Sequence, residues 1–573
     1  MPSPVIDLRI GRPKRCLIVG GGPAGLIALH EYLNPHNRAA EIIGEAQDVV
    51  LYERRAEIGG VWYFEPDNDV AKGWPAPGKK STKSTPQPAV SANASTTTSD
   101  VNINETYAAT VTNAKHQGEA YTQADALRDG LGLPDKTLPA VSRFASPAYH
   151  GLVGNVLPPL LEFSAKSIDK PEFGLFPSMV ETHRYLLDFA APMRSYIRTH
   201  NEVTNVQPVF VGGIIREPVR WSVTSSDWSS GKQVETTEEF DAVIVAPGIN
   251  EHPYYPAGIQ GLDELLNAKS SFVMHAKTYS GPLPFVNQHN KIAVVGNGNS
   301  ANDICAHLAP LNSAGPLYRC ARHEGRFAYL KDDRIVDVAA VSSIALADDK
   351  LSVTLTLTDG TTIADITKVI FATGYQFDFP WLHVPRRNTL TDKSPSLSQV
   401  TPADLRPASK YGAVIDIHEQ MFLAAAPSIC FIGLPTTAIP LPLAEIQARV
   451  AARVYHNMLS LPADDADGLL KGFRARCDEL GLRDDSPDGW RLLHFMRGPE
   501  ERRLTSYLLN WLEQGEAGSS AGLFRWDERR EEIARGMRAV KEGELRRLRD
   551  LRVAAGGVDG GPGGVLAVGY EGV

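Results

Sequence analysis

Twice in this 573-residue chain the same order of signals recurs, and that duplication limits the possible folds more than any other feature. In the first copy, residues 16–20 (CLIVG) form a short apolar run that reads as a buried strand. The glycine-rich turn Gly20-Gly21-Gly22-Pro23-Ala24-Gly25 follows, and then PAGLIALHEYL, whose apolar residues recur at helical spacing. VVLYE (49–53) is a second buried strand. RWSVTSS and KQVETTEEF flank a Ser-Gly turn as a small antiparallel meander, and DAVIVAPG (241–248) ends the copy as a buried strand running into a glycine. The second copy runs KIAVVGNGNSANDICAHLA (291–309), LYRCAR (317–322), the alternating segment LSVTLTLTDGTTI (351–363) with its Asp359-Gly360 hairpin turn, and TKVIFATG (367–374). The expected fold class is α/β: two Rossmann-like domains, each with a small antiparallel β meander, plus a helical C-terminal extension.

The chemistry of the two turns distinguishes their ligands. In a G-x-G-x-x-G turn the first glycine permits the tight bend, the second lets backbone approach a pyrophosphate, and the third lets helix pack on strand. Gly20, Gly22 and Gly25 meet this pattern directly after a strand, and the pyrophosphate is expected on the amides at the helix N-terminus. Glu53, at the end of the next strand, is placed to accept hydrogen bonds from ribose hydroxyls. The second turn, Gly296-Asn297-Gly298-Asn299-Ser300-Ala301, has the tolerated alanine in its last position. Its following strand ends not in an acid but in Arg319 and Arg322, with Arg322 the favoured ligand. A guanidinium suits a 2′-phosphate, which a glutamate would repel. The expected cofactors are therefore FAD on the first copy and NADPH on the second.

Glu53 followed by Gly59-Gly60-Val61-Trp62, the turn GNGNSAND (296–303), FATGY (371–375), and FIGLP (431–435) with Glu445 and Gln447 after it resemble the flavin-containing monooxygenases from about residue 14 to 460. The resemblance implies that Gly60, Val61 and Trp62 line the flavin. It adds Gly21, Pro23, Ala24, Arg54, Val203 and Gln447 to the contacts of the first dinucleotide. Gly296, Gly298, Asn299, Ser300, Ala301, Asn302 and Asp303 would contact the nicotinamide nucleotide. SPAYHGLVGN (146–155) is similar to the family segment ending in Thr-Asn, with Gly154 replacing the threonine and Asn155 retained beside the reactive flavin carbon. His275 and Tyr279 fit the second half of the family's F-x-G-x-x-x-H-x-x-x-[YF] pattern, whereas Lys269 and Ser271 replace its phenylalanine and glycine. The implied catalytic set is Asn155, His275 and Tyr279. The implied reaction is NADPH-dependent reduction of FAD, formation of a flavin C4a-hydroperoxide, and oxygenation of a soft nitrogen or sulfur nucleophile. A Baeyer–Villiger monooxygenase acting on a ketone is the nearest alternative. Tyr279, where those enzymes usually carry tryptophan, weighs against it.

Length implies several domains. The expected division is 14–250 for FAD, with a mobile Ser/Thr/Pro-rich insertion over about 66–147 and a short helix near 118–130 inside it. NADPH is expected on 251–379, a return to the FAD domain over 380–480, and a helical, charged extension over 481–573 ending in a disordered Gly-rich tail from Gly556. The stretch 525–552 reads as a solvated helix. A net charge of −9 weighs against nucleic acid as a partner, and a small molecule with O2 is expected instead. The five cysteines (Cys16, Cys305, Cys320, Cys430, Cys477) form no C-x-x-C pair, which weighs against a dithiol reductase or a zinc site. A degenerate FAD-binding scaffold is disfavoured by the intact second copy. No apolar leader or membrane-length apolar run stands out, so the sequons at Asn93 and Asn104 read as chance and the expected location is cytoplasmic. Homo-oligomerisation stays open.

Overall fold

A computed structural model of the chain describes residues 13–34, 48–63, 144 and 146–554, apart from 150–151, 172–173, 231, 247, 269, 286–287, 313, 324–330, 464, 486–488, 497 and 517. The expected insertion falls almost wholly outside the described residues, as do the short helix near 118–130 and the Gly-rich tail.

Each copy builds a parallel sheet. The first has seven strands in the order Ile417–His418, Phe422–Leu423, Ile429–Phe431, Ala242–Val245, Arg15–Val19, Asp48–Tyr52 and Ile197–Arg198. It is parallel from Ile429–Phe431 to Ile197–Arg198 and antiparallel at the other end. The second has five parallel strands in the order Val273–His275, Lys368–Phe371, Ile292–Val295, Leu317–Cys320 and Ile335–Val338. In both, the opening strand lies between the strand that follows its helix and the strand that closes its copy.

The apolar runs are continuous because both faces of the first sheet are covered. Cys16 and Ile18 enter the core beneath the helices Pro23–Leu33 and Pro440–Tyr455. Leu17 and Val19 enter the opposite core, with Trp221, Val223 and Phe240 of the meander. That meander has three strands, Asn201–Pro208, Trp221–Asp227 and Val234–Phe240, one more than the alternation predicts. The helix expected over 180–200 ends at Ala190. Pro192 cannot continue an α-helix, and the chain passes through a 3-10 turn into the sheet edge. The second meander, Val341–Leu346, Val353–Leu357 and Thr362–Ile366, turns through Gly360 at φ +85°.

The reading of 525–552 as a wholly solvated helix is corrected. The helix Glu528–Ala554 lays one face on the body of the protein. Ile533, Ala534 and Met537 pack against the first core, and Lys541 and Glu544 are buried. Residues 533, 537, 541 and 544 share a helical face, but two of the four are charged, so composition hides the stripe.

The two helices covering the first sheet are tied by a buried ion pair between Glu31 and Arg449, both 2% exposed. Arg449 donates from Nε (2.7 Å) and Nη2 (3.0 Å) to the carboxylate, and from Nη1 to the Ala521 carbonyl. Burial pushes the Glu31 carboxyl up, but His30 and Arg449 outweigh it and hold the group below its ordinary value. Removing one partner strands a buried charge. Arg449→Met is therefore expected to cost about 3–5 kcal/mol in denaturant unfolding, with much of the loss recovered in Glu31→Leu/Arg449→Met.

Candidate active site

Steric limits define the first turn. Gly20 bends at φ +104°, and a Cβ on Gly25 would collide with the Gly20 carbonyl oxygen. Gly22 caps the helix Pro23–Leu33 without any side-chain acceptor, so amides of its first turn remain available to an anion. Gly60, at φ +59°, brings its backbone against Gly22, where a Cβ on Gly60 would lie 2.9 Å from the Gly22 Cα. Val61 and Trp62 follow in a 3-10 turn. The Glu53 carboxylate accepts from the amides of Gly21 (2.7 Å) and Arg55 (2.8 Å), which fixes it beside the turn. Opposite, Gly433 of FIGLP (φ +79°) sits against Ala24, held by its amide donating to Gln447 Oε1 at 3.0 Å. These residues fit a dinucleotide pyrophosphate and ribose. Val203 differs: it is buried in the core between sheet and meander. Arg54 stacks on Phe144 at 4.5 Å and pairs with Glu251, which also meets the buried Lys277. Burial raises the Glu251 pKa, but Arg54 and Lys277 outweigh it and hold the carboxyl far below its usual range.

In the second turn Gly296 (φ +126°) packs on the Ala372 carbonyl. Gly298 caps the helix Asn299–Leu308, again with no side-chain acceptor, and open space lies above its Cα. Asn299 and Ser300 are half-buried in the first helical turn, and Ala301 is fully buried. Arg319 does not present a free guanidinium. It donates to both oxygens of Asp337 at 2.6 and 2.7 Å and to Asn302 Oδ1 at 2.9 Å. Arg322 and His323 are exposed and line a cleft of about 520 Å³ together with Asn297 and Asp337. Among the described residues, the guanidinium of this cleft that is not held by a carboxylate is therefore that of Arg322, which suits a phosphate bound there.

Between the turns runs the segment 146–155. The Ser146 hydroxyl donates to the Val61 carbonyl (2.7 Å), and the Tyr149 hydroxyl donates to Asp303 Oδ2 (2.7 Å). Only two residues lie between a contact with the first copy and one with the second. The Gly154 amide donates to the Pro177 carbonyl at 2.9 Å, and Asn155 is half-buried next to it. From Ser178 the capped helix Met179–Ala190 carries His183 to the Ile58 carbonyl, 2.9 Å away and beside the first turn.

His275 and Tyr279 lie in the structure's interior. His275 is 1% exposed; its Nδ1 accepts from the Lys277 amide (3.0 Å) and its Nε2–H donates to the Gly374 carbonyl (3.1 Å). Burial lowers its pKa to about 3, so the ring is neutral, with both nitrogens engaged by backbone. Tyr279 is fully buried, edge-on to Tyr149 at 5.3 Å and hydrogen-bonded to His307 Nδ1 at 3.2 Å. Sequence reasoning missed Tyr149, His183 and Lys541. Their partners lie far away in the chain, and no local motif marks them.

Among the described residues no His, Cys, Asp or Glu cluster could hold a metal ion, and no helix is long and apolar enough to cross a membrane. The five cysteines are buried and free.

Family models for flavin-binding monooxygenase-like proteins and for L-lysine 6-monooxygenase/L-ornithine 5-monooxygenase match residues 342–479 and 174–333. A flavin-containing monooxygenase of Aspergillus flavus is 24% identical over 92% of this chain and 98% of its own. A thiol-specific monooxygenase of Saccharomyces cerevisiae is 28% identical over 55% of this chain and 66% of its own. The fold is similar to that of S-allyl-L-cysteine S-oxygenase from Allium sativum, with a TM-score of 0.57 at 20% identity over 97% of this chain and 98% of that one. It is also similar to that of Tmm from Pelagibacter sp. strain HTCC7211, with a TM-score of 0.55 at 16% identity over 93% and 91% of the two chains. Two glycine turns joined by one segment that touches both accord with these likenesses, which support a flavin-containing monooxygenase and with it a flavoprotein oxidoreductase.

Proposed function

We propose that residues 14–250 and 380–480 hold FAD, that 251–379 hold NADPH, and that the chain oxygenates a nitrogen or sulfur of a small molecule. The balance for a sulfide is sulfide + O2 + NADPH + H⁺ giving sulfoxide + NADP⁺ + water. The observation that carries the reading is the segment 146–155, which bonds to Val61 beside one turn and to Asp303 in the other. Two dinucleotides on those turns would meet along it. Bound FAD would supply the redox chemistry between NADPH and O2. The protein's part is to bind, orient and exclude water.

In this reading Gly20–Gly25, Glu53 and Gly60–Trp62 hold the flavin nucleotide, with Gln447 acting through Gly433. Gly296–Asp303 and Arg322 hold the nicotinamide nucleotide. Arg319 is a positioning residue that orders Asn302 and Asp337. Asn155 is the polar side chain offered to the reacting atoms. His275 and Tyr279 act from the interior, His275 by tying its strand to the Gly374 turn and Tyr279 by backing Tyr149. The names of a thiol-specific monooxygenase and an S-oxygenase support sulfur over a ketone, and the match to the L-lysine 6-monooxygenase/L-ornithine 5-monooxygenase model supports nitrogen.

Three outcomes follow. With NADPH and ¹⁸O2, the purified yellow protein is expected to convert an aryl methyl sulfide or a tertiary amine to a labelled sulfoxide or N-oxide. Labelled lactone from a cyclic ketone, with neither of those products, would overturn the reading, as would failure to oxidise NADPH. Arg322→Ala is expected to raise KM for NADPH by about 10- to 100-fold with little change for NADH, the worth of a charge-assisted hydrogen bond or two. His275 titrates near 6.5 when unfolded and near 3 when folded, so below pH 6.5 the unfolded chain takes up a proton that the native protein refuses. Stability from this group is therefore complete above 6.5 and lost as pH falls toward 3. Denaturant unfolding of His275→Gln should show a shallower acid slope than the parent by as much as one proton.

A further inference from the structure

The C-terminal helix Glu528–Ala554 reaches the segment that joins the two turns. Lys541, 4% exposed, donates from Nζ to the Gly154 carbonyl at 2.8 Å, lies 3.4 Å from the Val153 carbonyl, and has its ammonium 4.9 Å from the centre of the Phe176 ring. Three turns of the same helix contribute: Met537 packs on the first core, Lys541 follows, and Glu544 lies against Gly174, paired with Arg547 at 2.7 Å. Burial pushes the Lys541 ammonium below its usual value, while Asp303 in the second glycine turn and Glu544 draw it back up. A desolvated cation is costly unless something uses it. Here it is spent on two consecutive backbone carbonyls, directly before Asn155.

Gly154 explains why an external clamp is needed. It has no side chain with which to hold its own loop. Its tight approach to Pro177 leaves little room for one, since a Cβ would lie 3.0 Å from that carbonyl oxygen. A cation with several donors can hold two carbonyls at once, which an uncharged side chain in its place would not match.

We propose that the C-terminal helix is part of the active site and that Lys541 is a positioning residue, fixing the Val153–Gly154 backbone so that Asn155 is presented to the reacting atoms. This rests on the reading of Asn155 as the polar group of the oxygenation site.

The test compares Lys541→Met, Lys541→Arg and Asn155→Ala in the full-length, flavin-loaded protein. The first readout is amide hydrogen exchange. Peptides spanning 148–157 are expected to exchange about tenfold faster in Lys541→Met and to return toward the parent rate in Lys541→Arg, with the strands 15–19 and 292–295 unaltered. The second is the share of NADPH recovered as oxygenated product rather than hydrogen peroxide, expected to fall about tenfold in Lys541→Met and to be largely restored by arginine. Parent-like exchange and product yield in Lys541→Met, with a low yield in Asn155→Ala, would overturn the clamp and leave the oxygenation reading standing. Parent-like yield in Asn155→Ala would overturn that reading itself. If Lys541→Met loses its flavin, Lys541→Gln takes its place, and parent-like exchange across 148–157 in that variant would likewise overturn the proposal.

Discussion

The structure depends on one steric constraint, met at both glycine turns: backbone must approach backbone so closely that no Cβ fits between them. At the first site a side chain on Gly25 would strike the Gly20 carbonyl, and at the second one on Gly296 would strike that of Ala372. Because the helix starts there, its first amides face outward beyond the strand ends, and neither N-cap supplies a side chain to satisfy them. The same closeness admits Glu53 to the Gly21 amide and Gly60 to Gly22. A dinucleotide would supply the missing acceptors.

Around these turns the protein spends buried polar groups on joining elements distant in sequence. Glu31 and Arg449 tie the two helices of the first sheet, and Gln447, two residues from Arg449, holds the FIGLP turn against Ala24. Arg54, Glu251 and Lys277 form a charged junction between the copies. His275 spends both ring nitrogens on backbone, and its burial lowers the pKa and keeps the ring neutral. Such groups contribute little net stability, but each loses much when its partner is removed, so they specify one arrangement of the two copies.

The segment 146–155 shows how a stretch with no secondary structure pattern can be ordered from outside. Val61, Asp303, Pro177 and Lys541 each hold one part of it, from four different regions of the chain. The C-terminal helix belongs to this arrangement rather than to solvent. Its long cationic side chain buries an aliphatic stem while its head finds carbonyls.

What the sequence by itself determined was local: strand, glycine turn and helix in two copies, the acid after one and the arginines after the other, and the Asp359-Gly360 hairpin. These are written in short-range sterics and periodicity, which need no knowledge of distant residues. Tertiary structure alone decided that Arg319 is claimed by Asp337 while Arg322 faces the cleft, and that the chain after Pro192 enters the edge of the first sheet. It also decided that Tyr149 reaches Asp303 and that Lys541 reaches Gly154. Each of these depends on a hydrogen-bond partner or neighbouring element that folding brings close. A charged side chain carries no mark in sequence of whether it will meet water or a buried carbonyl.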